Sequence, residues 1–354
     1  MAREISVGKL RGLLRLADEH GRFKMMAIDQ RGSLNKALGG VLGRDASFDE
    51  VARFKQVVTR HLAPYASAVL TDPIYGMARS VRELPARAGL LLAYEKTGYV
   101  TDERGTGRRT ELIEGWSVAK AVRAGADAIK LLLYYQPEAD AAATEHQKAI
   151  CRRVGEECAR YDVPFVLEPM SYAVVESGTD TPEFARKKPQ LVIETAREFS
   201  KPEYGVDLLK MEFPADLKYC REFANGAFDG KARTPVYSLA EVEAHCRALD
   251  AAATVPWVIL SAGVNIDEFL LNVDLACRAG ASGFLCGRAI WKGAIPLFKD
   301  ASEMERFLDT SGRVNFLKCN AAAEAARPLS QHPAFASASV AGDDENWHRT
   351  YPAP

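Results

Sequence analysis

Short apolar runs of strand length recur along the whole chain, and each is followed by enough residues to form a helix. We identify eight of these runs, at Lys24–Asp29, Ala68–Asp72, Gly89–Tyr94, Asp127–Leu133, Pro164–Glu168, Val206–Glu212, Pro256–Ser261 and Ser282–Cys286. Their nearly continuous hydrophobicity is typical of parallel strands that are covered on both faces. The pattern therefore predicts successive strand–helix units.

Helical patterns fill the intervals between the predicted strands. The clearest are Phe48–His61, Trp116–Ala124, Ala141–Tyr161, Pro182–Phe199, Leu239–Ala252 and Ile266–Ala279. Eight parallel strands with right-handed crossovers close most economically into a (β/α)8 TIM barrel, which we predict as a single domain over residues 1–326. A doubly wound open sheet is the structural alternative. Residues 327–354 are rich in Pro, Ser and Ala and predict an irregular C-terminal tail, which Trp347 and Tyr351 would anchor if it docks.

Composition narrows the classes of function. The 354 residues carry 46 basic and 47 acidic side chains, so no overall positive field would attract nucleic acid or an anionic membrane. The N-terminus lacks the apolar core of a signal peptide, and no uncharged stretch is long enough to span a bilayer. The seven cysteines have no paired short spacing and predict free thiols in a reducing cytoplasm.

Charged residues at the ends of apolar strands are the first candidates for chemistry, because the active sites of such barrels lie at the C-terminal ends of the strands. Lys130 lies within predicted strand four and Lys210 within predicted strand six, while Glu168 ends the strand between them. Interiors of these barrels are layered by residues from alternate strands, so the two lysines could share a layer. Neighbouring strands are ~4.8 Å apart, which would separate the two lysine backbones by roughly 10 Å.

Two amines beside one carboxyl group have a chemical use. A lysine nucleophile must be a free amine, and a nearby ammonium in a medium of low dielectric constant favours that form. A carboxylic acid in the same site can then transfer protons. The sequence does not say which lysine attacks. The alternative interpretation is an interior ion-pair cluster without chemistry.

A candidate anion site follows strands seven and eight, where barrels of this type usually bind phosphate. After strand seven the chain reads Ser261-Ala262-Gly263, and after strand eight Gly287-Arg288. Glycine permits close approach of the backbone, and arginine supplies a planar fork of donors. Other arginines in rim loops could contact a second anion: Arg31, Arg104, Arg108 and Arg109.

The segments around these residues resemble the class I tagatose-1,6-bisphosphate aldolase family. The resemblance runs from AIDQRGSL at 27–34 to GRAIWKGA at 287–294, and its most specific stretches are GLLLAYEKTGY (89–99), AGADAIKLLLYY (124–135) and VDLLKMEFP (206–214). It implies that Lys210 forms a Schiff base with the substrate, that Glu168 is the acid/base catalyst and that Lys130 helps to set charge and hold substrate. It also implies that Asp29 and Gln30 face the mouth of the site and that Ser261 and Arg288 contact phosphate.

The implied reaction is the reversible, metal-independent cleavage of a ketose 1,6-bisphosphate into dihydroxyacetone phosphate and glyceraldehyde 3-phosphate. No cofactor is implied, and we expect a homo-oligomer. The sequence departs from the family after Glu168, in the loop Glu103–Thr110 and in the tail. A relative with the same catalytic core, the sulfofructose-1-phosphate aldolase type, is therefore the alternative. A non-catalytic sugar-phosphate sensor and a metal-dependent aldolase are the remaining hypotheses.

Overall fold

Eight parallel strands close into a barrel in the computed structural model, which describes residues 4–101, 107–174, 178–336, 338–341 and 344–351. We label the barrel strands β1 (Phe23–Ala27), β2 (Ala68–Thr71), β3 (Gly89–Ala93), β4 (Ala128–Tyr134), β5 (Phe165–Met170), β6 (Leu208–Met211), β7 (Trp257–Leu260) and β8 (Gly283–Cys286). Each strand pairs with its neighbours in the chain, and β8 pairs with β1. The predicted TIM barrel is confirmed, and the open sheet is wrong.

Helices surround the barrel on its outer side, apart from the first, which covers the N-terminal end of the barrel. Those of six or more residues are α1 (Val7–Leu16), α2 (Gly32–Leu42), α3 (Phe48–Leu62), α4 (Val118–Arg123), α5 (Ala141–Arg160), α6 (Pro182–Phe199), α7 (Leu239–Ala252), α8 (Ile266–Ala279), α9 (Ala301–Phe307) and α10 (Arg313–Ala322). Capping boxes begin two of them, with Ser47 and Glu50 on α3 and Ser238 and Glu241 on α7. These reciprocal bonds satisfy backbone donors at the point where each helix starts.

Side chains along each strand point alternately toward the helices and into the barrel, and they form two separate apolar layers. On β4, Ile129 and Leu131 belong to the layer between strands and helices, whereas Ala128 belongs to the layer inside the barrel. Successive strand residues point to opposite faces, so Lys130 shares the inward face of Ala128. On β6, Leu209 and Met211 pack outward in the same way. The apolar residues on either side of each lysine thus pack against the helices, and the two ammonium groups point into the barrel.

The N-terminal end of the barrel is covered by both ends of the chain. Leu13 and Leu16 of α1 join the inner apolar layer, together with Leu329 from the segment predicted as a tail. The two-residue strand Glu4–Ile5 pairs in parallel with Ser339–Val340. The hydroxyl of Tyr351 donates to the carboxylate of Asp162. Arg327 pairs with Asp250 at 2.9 Å, and the helical structure in the described part of residues 327–354 consists of short turns at Leu329–Gln331, Pro333–Ala336 and Trp347–Thr350.

The cysteines do not form disulfides. All seven are buried free thiols: Cys151, Cys158, Cys220, Cys246, Cys277, Cys286 and Cys319. Within the described ranges, none of the helices combines the length and apolar character that a membrane span requires.

Candidate active site

A cavity of about 370 Å³ opens at the C-terminal end of the barrel strands. It is lined by eight of the nine residues that the sequence analysis selected as catalytic or substrate-binding: Asp29, Gln30, Lys130, Glu168, Lys210, Ser261, Gly287 and Arg288. The ninth, Gly263, lies next to the Arg288 side chain. Residues far apart in the chain therefore converge on one site.

Glu168 joins the two buried lysines at the floor of this cavity. Its Oε2 atom lies 2.8 Å from Lys210 Nζ and also 2.8 Å from Lys130 Nζ. Lys130 is 1% exposed and Lys210 4% exposed, so both ammonium groups are shielded from bulk water. The arrangement places a carboxylate within proton-transfer distance of two amines.

Two further carboxylates hold the charge of Lys130. Its Nζ atom lies 2.9 Å from Asp29 Oδ2 and 2.9 Å from Glu95 Oε1. Burial opposes the charged amine, but Asp29, Glu168 and Glu95 outweigh it and raise the pKa of Lys130 well above its ordinary value. Burial likewise opposes ionisation of Asp29, yet Lys130 and Lys210 lower the pKa of that carboxyl. The contacts within this network therefore favour the charged forms of both Lys130 and Asp29.

Glu95 is a site residue that the sequence analysis did not select. Besides Lys130, it accepts a bond of 2.9 Å from the backbone N–H of Leu132 and lies 3.3 Å from Arg31 Nη2. The signal was present, because Glu95 follows directly the predicted strand that ends at Tyr94. Arg31, which the sequence suggested for a second anion, also donates to the Glu95 carbonyl at 2.6 Å. Its guanidinium is thus part of the buried ion-pair network.

Two other acidic residues at strand ends lie away from this network. Asp72 forms an ion pair of 2.5 Å with Lys55 of α3, and both side chains are fully buried. Glu212 accepts from the backbone N–H and hydroxyl of Ser171, at 2.6 and 2.7 Å, and lines a neighbouring cavity. A charged residue at the end of a strand is therefore not sufficient to identify a catalytic group.

The candidate anion site lies on the side of β7 and β8. Ala262 and Gly263 have φ angles of +46° and +81°, which turn the chain sharply after Ser261. A Cβ atom at Gly263 would lie 3.3 Å from Arg288 Nη2, so glycine leaves room for the guanidinium. At Gly287 a Cβ atom would come within 2.8 Å of the Ala27 carbonyl. Both glycines therefore have a steric reason to be there.

Two of the remaining rim arginines lie on a hairpin inserted after β3. Arg108 and Arg109 form its second strand, which pairs antiparallel with Val100–Thr101. Arg104 lies outside the described residues. In the parts of the chain that the structure describes, no group of three or more His, Cys, Asp or Glu side chains is arranged to hold a metal ion.

Comparison with known proteins adds an independent line of information. A family model described as DeoC/LacD family aldolase matches residues 23–293. The chain is 38% identical over 322 residues to tagatose 1,6-diphosphate aldolase 1 of Enterococcus faecalis (strain ATCC 700802 / V583), which covers 90% of this chain and 95% of that relative. It is also 38% identical over 316 residues to tagatose 1,6-diphosphate aldolase of Listeria monocytogenes serotype 4b (strain CLIP80459), covering 88% and 90%.

Solved structures share the fold. A fructose-bisphosphate aldolase from Plasmodium falciparum, crystallised with TRAP and an inhibitor, superposes with a TM-score of 0.62 at 14% identity and covers 96% of this chain and 98% of its own. A Schiff base forming fructose-1,6-bisphosphate aldolase superposes with a TM-score of 0.51 at 18% identity, covering 84% of this chain and 96% of its own. At these identities the likeness concerns the fold alone.

Proposed function

Since the chain belongs to the DeoC/LacD family of aldolases, we propose that it is a class I aldolase that cleaves a ketose 1,6-bisphosphate such as tagatose 1,6-bisphosphate. The products are dihydroxyacetone phosphate and glyceraldehyde 3-phosphate. The observation that carries the proposal is the position of Glu168 Oε2, at 2.8 Å from both Lys210 and Lys130 inside the barrel. Curated relatives named tagatose 1,6-diphosphate aldolase support the choice of substrate.

Lys210 is the nucleophile in this proposal. Its amine adds to the C2 carbonyl of the ketose, and loss of water from the carbinolamine gives an iminium ion bonded to Nζ. Glu168, at 2.8 Å from that nitrogen, carries the proton that the hydroxyl needs to leave as water. Lys130 cannot easily play the nucleophile's part, because three carboxylates hold its proton.

Carbon–carbon cleavage uses the same carboxylate. Glu168 takes the proton of the C4 hydroxyl directly or through water, the C3–C4 bond breaks, and the electron pair moves into the iminium ion to give an enamine. The aldehyde product then leaves. Protonation at C3 and hydrolysis of the imine release dihydroxyacetone phosphate and restore the amine. The fixed charge of Lys130 keeps the carboxylate oriented through the cycle.

Trapping with sodium borohydride tests this proposal. Incubation with dihydroxyacetone phosphate and borohydride is expected to add one reduced adduct to the protein, which peptide mass spectrometry would locate on Lys210. Lys210→Ala should abolish both the adduct and cleavage, whereas Lys130→Arg keeps the cation and should still form the adduct. An adduct on another lysine, or turnover by Lys210→Ala, would refute the assignment.

A further inference from the structure

A second cavity, of about 560 Å³, adjoins the candidate active site on the side of β4 to β7. The two cavities share part of their lining: Tyr134, Met170, Leu260, Ser261 and Ala262. Arg108 lines the second cavity from the hairpin after β3. A substrate bound over Lys210 therefore has space to extend toward this arginine.

Three tyrosine rings hold the guanidinium group of Arg108. Its central carbon lies 4.4 Å from the ring centroid of Tyr99, 4.5 Å from that of Tyr172 and 5.3 Å from that of Tyr134. The Tyr99 and Tyr134 rings lie at 72° to each other and therefore contact the cation from different directions, and aromatic faces attract a cation without taking up all its N–H donors. The rings thus fix the direction of Arg108 without satisfying its donors.

The charge of Arg108 has no ion-pair partner among the carboxylates that the structure describes. Three acidic side chains line the same cavity: Glu212 is bonded to Ser171, Asp216 lies 3.5 Å from Lys218, and Glu268 is buried on α8. Lys188 of α6 lines the cavity as a second cation. A positioned cation without an anion, beside a cavity, is the composition of an anion-binding site.

The order of the strands gives the direction in which the substrate runs. Ser261 and Arg288 follow β7 and β8, Lys210 lies on β6, and Glu168 lies on β5. Arg108 comes from the loop after β3 and reaches over Tyr134 at the end of β4. A ketose with its C1 phosphate at β7 and β8 and C2 on Lys210 would therefore direct C6 toward Arg108.

We propose that Arg108 binds the tetrahedral anion on C6 of the ketose and thereby selects substrates that are charged at both ends. This inference rests on the proposed aldolase function, and it assigns the far-end subsite of that reaction. The bidentate edge of a guanidinium suits the oxygens of a phosphate or a sulfonate. Tyr134 forms the wall between this subsite and the catalytic carboxylate, since its ring contacts Arg108 and lines both cavities.

The test compares Arg108→Met with Arg109→Met as a matched control. Arg109 is the next residue on the same strand, its side chain points to the opposite face, and it lines neither cavity. Steady-state kinetics would use tagatose 1,6-bisphosphate and tagatose 1-phosphate. Loss of a charged hydrogen bond predicts that Arg108→Met raises KM for the bisphosphate about 10- to 150-fold. KM for the monophosphate should stay unchanged, and Arg109→Met should affect neither sugar.

Equal effects of Arg108→Met on both sugars, or none on the bisphosphate, would overturn the inference. Arg108→Lys is a milder variant that controls for misfolding, because it keeps the positive charge but loses the bidentate edge. It should raise KM for the bisphosphate less than Arg108→Met does and leave KM for the monophosphate unchanged. Failure of the proposed function is distinguishable, since the wild-type protein would then cleave neither sugar and form no borohydride adduct.

A further arm separates the two anions. Wild type and Arg108→Met would be assayed on 6-deoxy-6-sulfofructose 1-phosphate beside tagatose 1,6-bisphosphate. For each of these sugars that the wild type cleaves, Arg108→Met should raise KM while KM for tagatose 1-phosphate stays unchanged. The sugar with the higher wild-type kcat/KM shows whether the subsite prefers a phosphate or a sulfonate. An unchanged KM for the sugar that is cleaved contradicts it.

Discussion

Glu168 links the two lysines, because one of its carboxylate oxygens contacts both ammonium groups. Glu168→Gln keeps the size of the side chain and removes its ability to accept a proton. We expect kcat to fall by ~10²–10⁴-fold with little change in KM. Single-turnover kinetics and borohydride trapping would check this, and a variant with wild-type kcat would show that another group transfers the proton.

The buried carboxyl group of Glu268 should make the free energy of unfolding depend on pH. It lies on α8, is 4% exposed, and burial raises its pKa from 4.5 to about 7. The folded state holds this proton more tightly than the unfolded state, so stability falls as pH rises from about 4.5 to 7, and the cost is complete above that range.

Glu268→Gln should remove that cost. We expect the variant to be more stable than wild type at pH 8, by up to about 3 kcal/mol, and the two proteins to converge near pH 4.5. Urea unfolding at several pH values would measure the difference. A constant offset between the proteins at all pH values would contradict the assigned titration.

Individual site residues were predictable to different degrees. Lys130, Glu168 and Lys210 could be selected because a charged side chain is rarely buried within an apolar strand unless it has a partner or a use. Asp72 has the same kind of position but turns to Lys55, and Glu95 was missed one residue beyond a strand. The sequence does not show which side chains of neighbouring elements will meet a given charge. The enclosure of Lys130 by three carboxylates is visible only in three dimensions.

At the scale of elements, the ion pair between Lys55 and Asp72 fastens α3 to the end of β2. Lys55 also donates to the Ile28 carbonyl at 2.6 Å, and Asp72 accepts from the N–H groups of Ile74 and Tyr75. Lys55→Met would leave a buried carboxylate without its cation and should destabilise the protein by about 3–5 kcal/mol.

The double variant Lys55→Met/Asp72→Asn tests that reason. Asparagine keeps an oxygen for the two N–H groups but carries no charge, so it should recover a large part of the lost stability. Guanidinium unfolding of both variants would measure the recovery. If the double variant is less stable than Lys55→Met alone, the loss does not come from an uncompensated charge.

Elements themselves followed closely from the sequence. Every predicted strand is a barrel strand, and α6, α7 and α8 have the predicted bounds. Ends were less accurate, since β5 continues to Met170 where the sequence suggested Glu168 as the last residue. The spacing of apolar residues in the sequence predicts where a strand or helix lies. The residue at which a strand ends depends also on its pairing with a neighbouring strand, as Met170 of β5 pairs with Tyr134 of β4.

At the scale of the whole molecule, the two ends of the chain meet at the N-terminal end of the barrel, opposite the candidate active site. Deleting residues 339–354 would remove the pairing with Glu4–Ile5 and the bond from Tyr351 to Asp162. We expect Tm to fall by a few degrees while kcat and KM stay within about twofold of wild type. Calorimetry and steady-state assays would check this, and a large loss of kcat would show that the segment reaches the site.

The hairpin that carries Arg108 is an excursion between β3 and α4, and none of the eight barrel strands depends on it for closure. In the proposed mechanism, the covalent step therefore lies on barrel strands, whereas the proposed contact with the far end of the sugar lies on the hairpin. Under these proposals, exchange of the hairpin alone would change the preferred sugar, because a grafted loop brings a new far-end contact and leaves Lys210 and Glu168 in place.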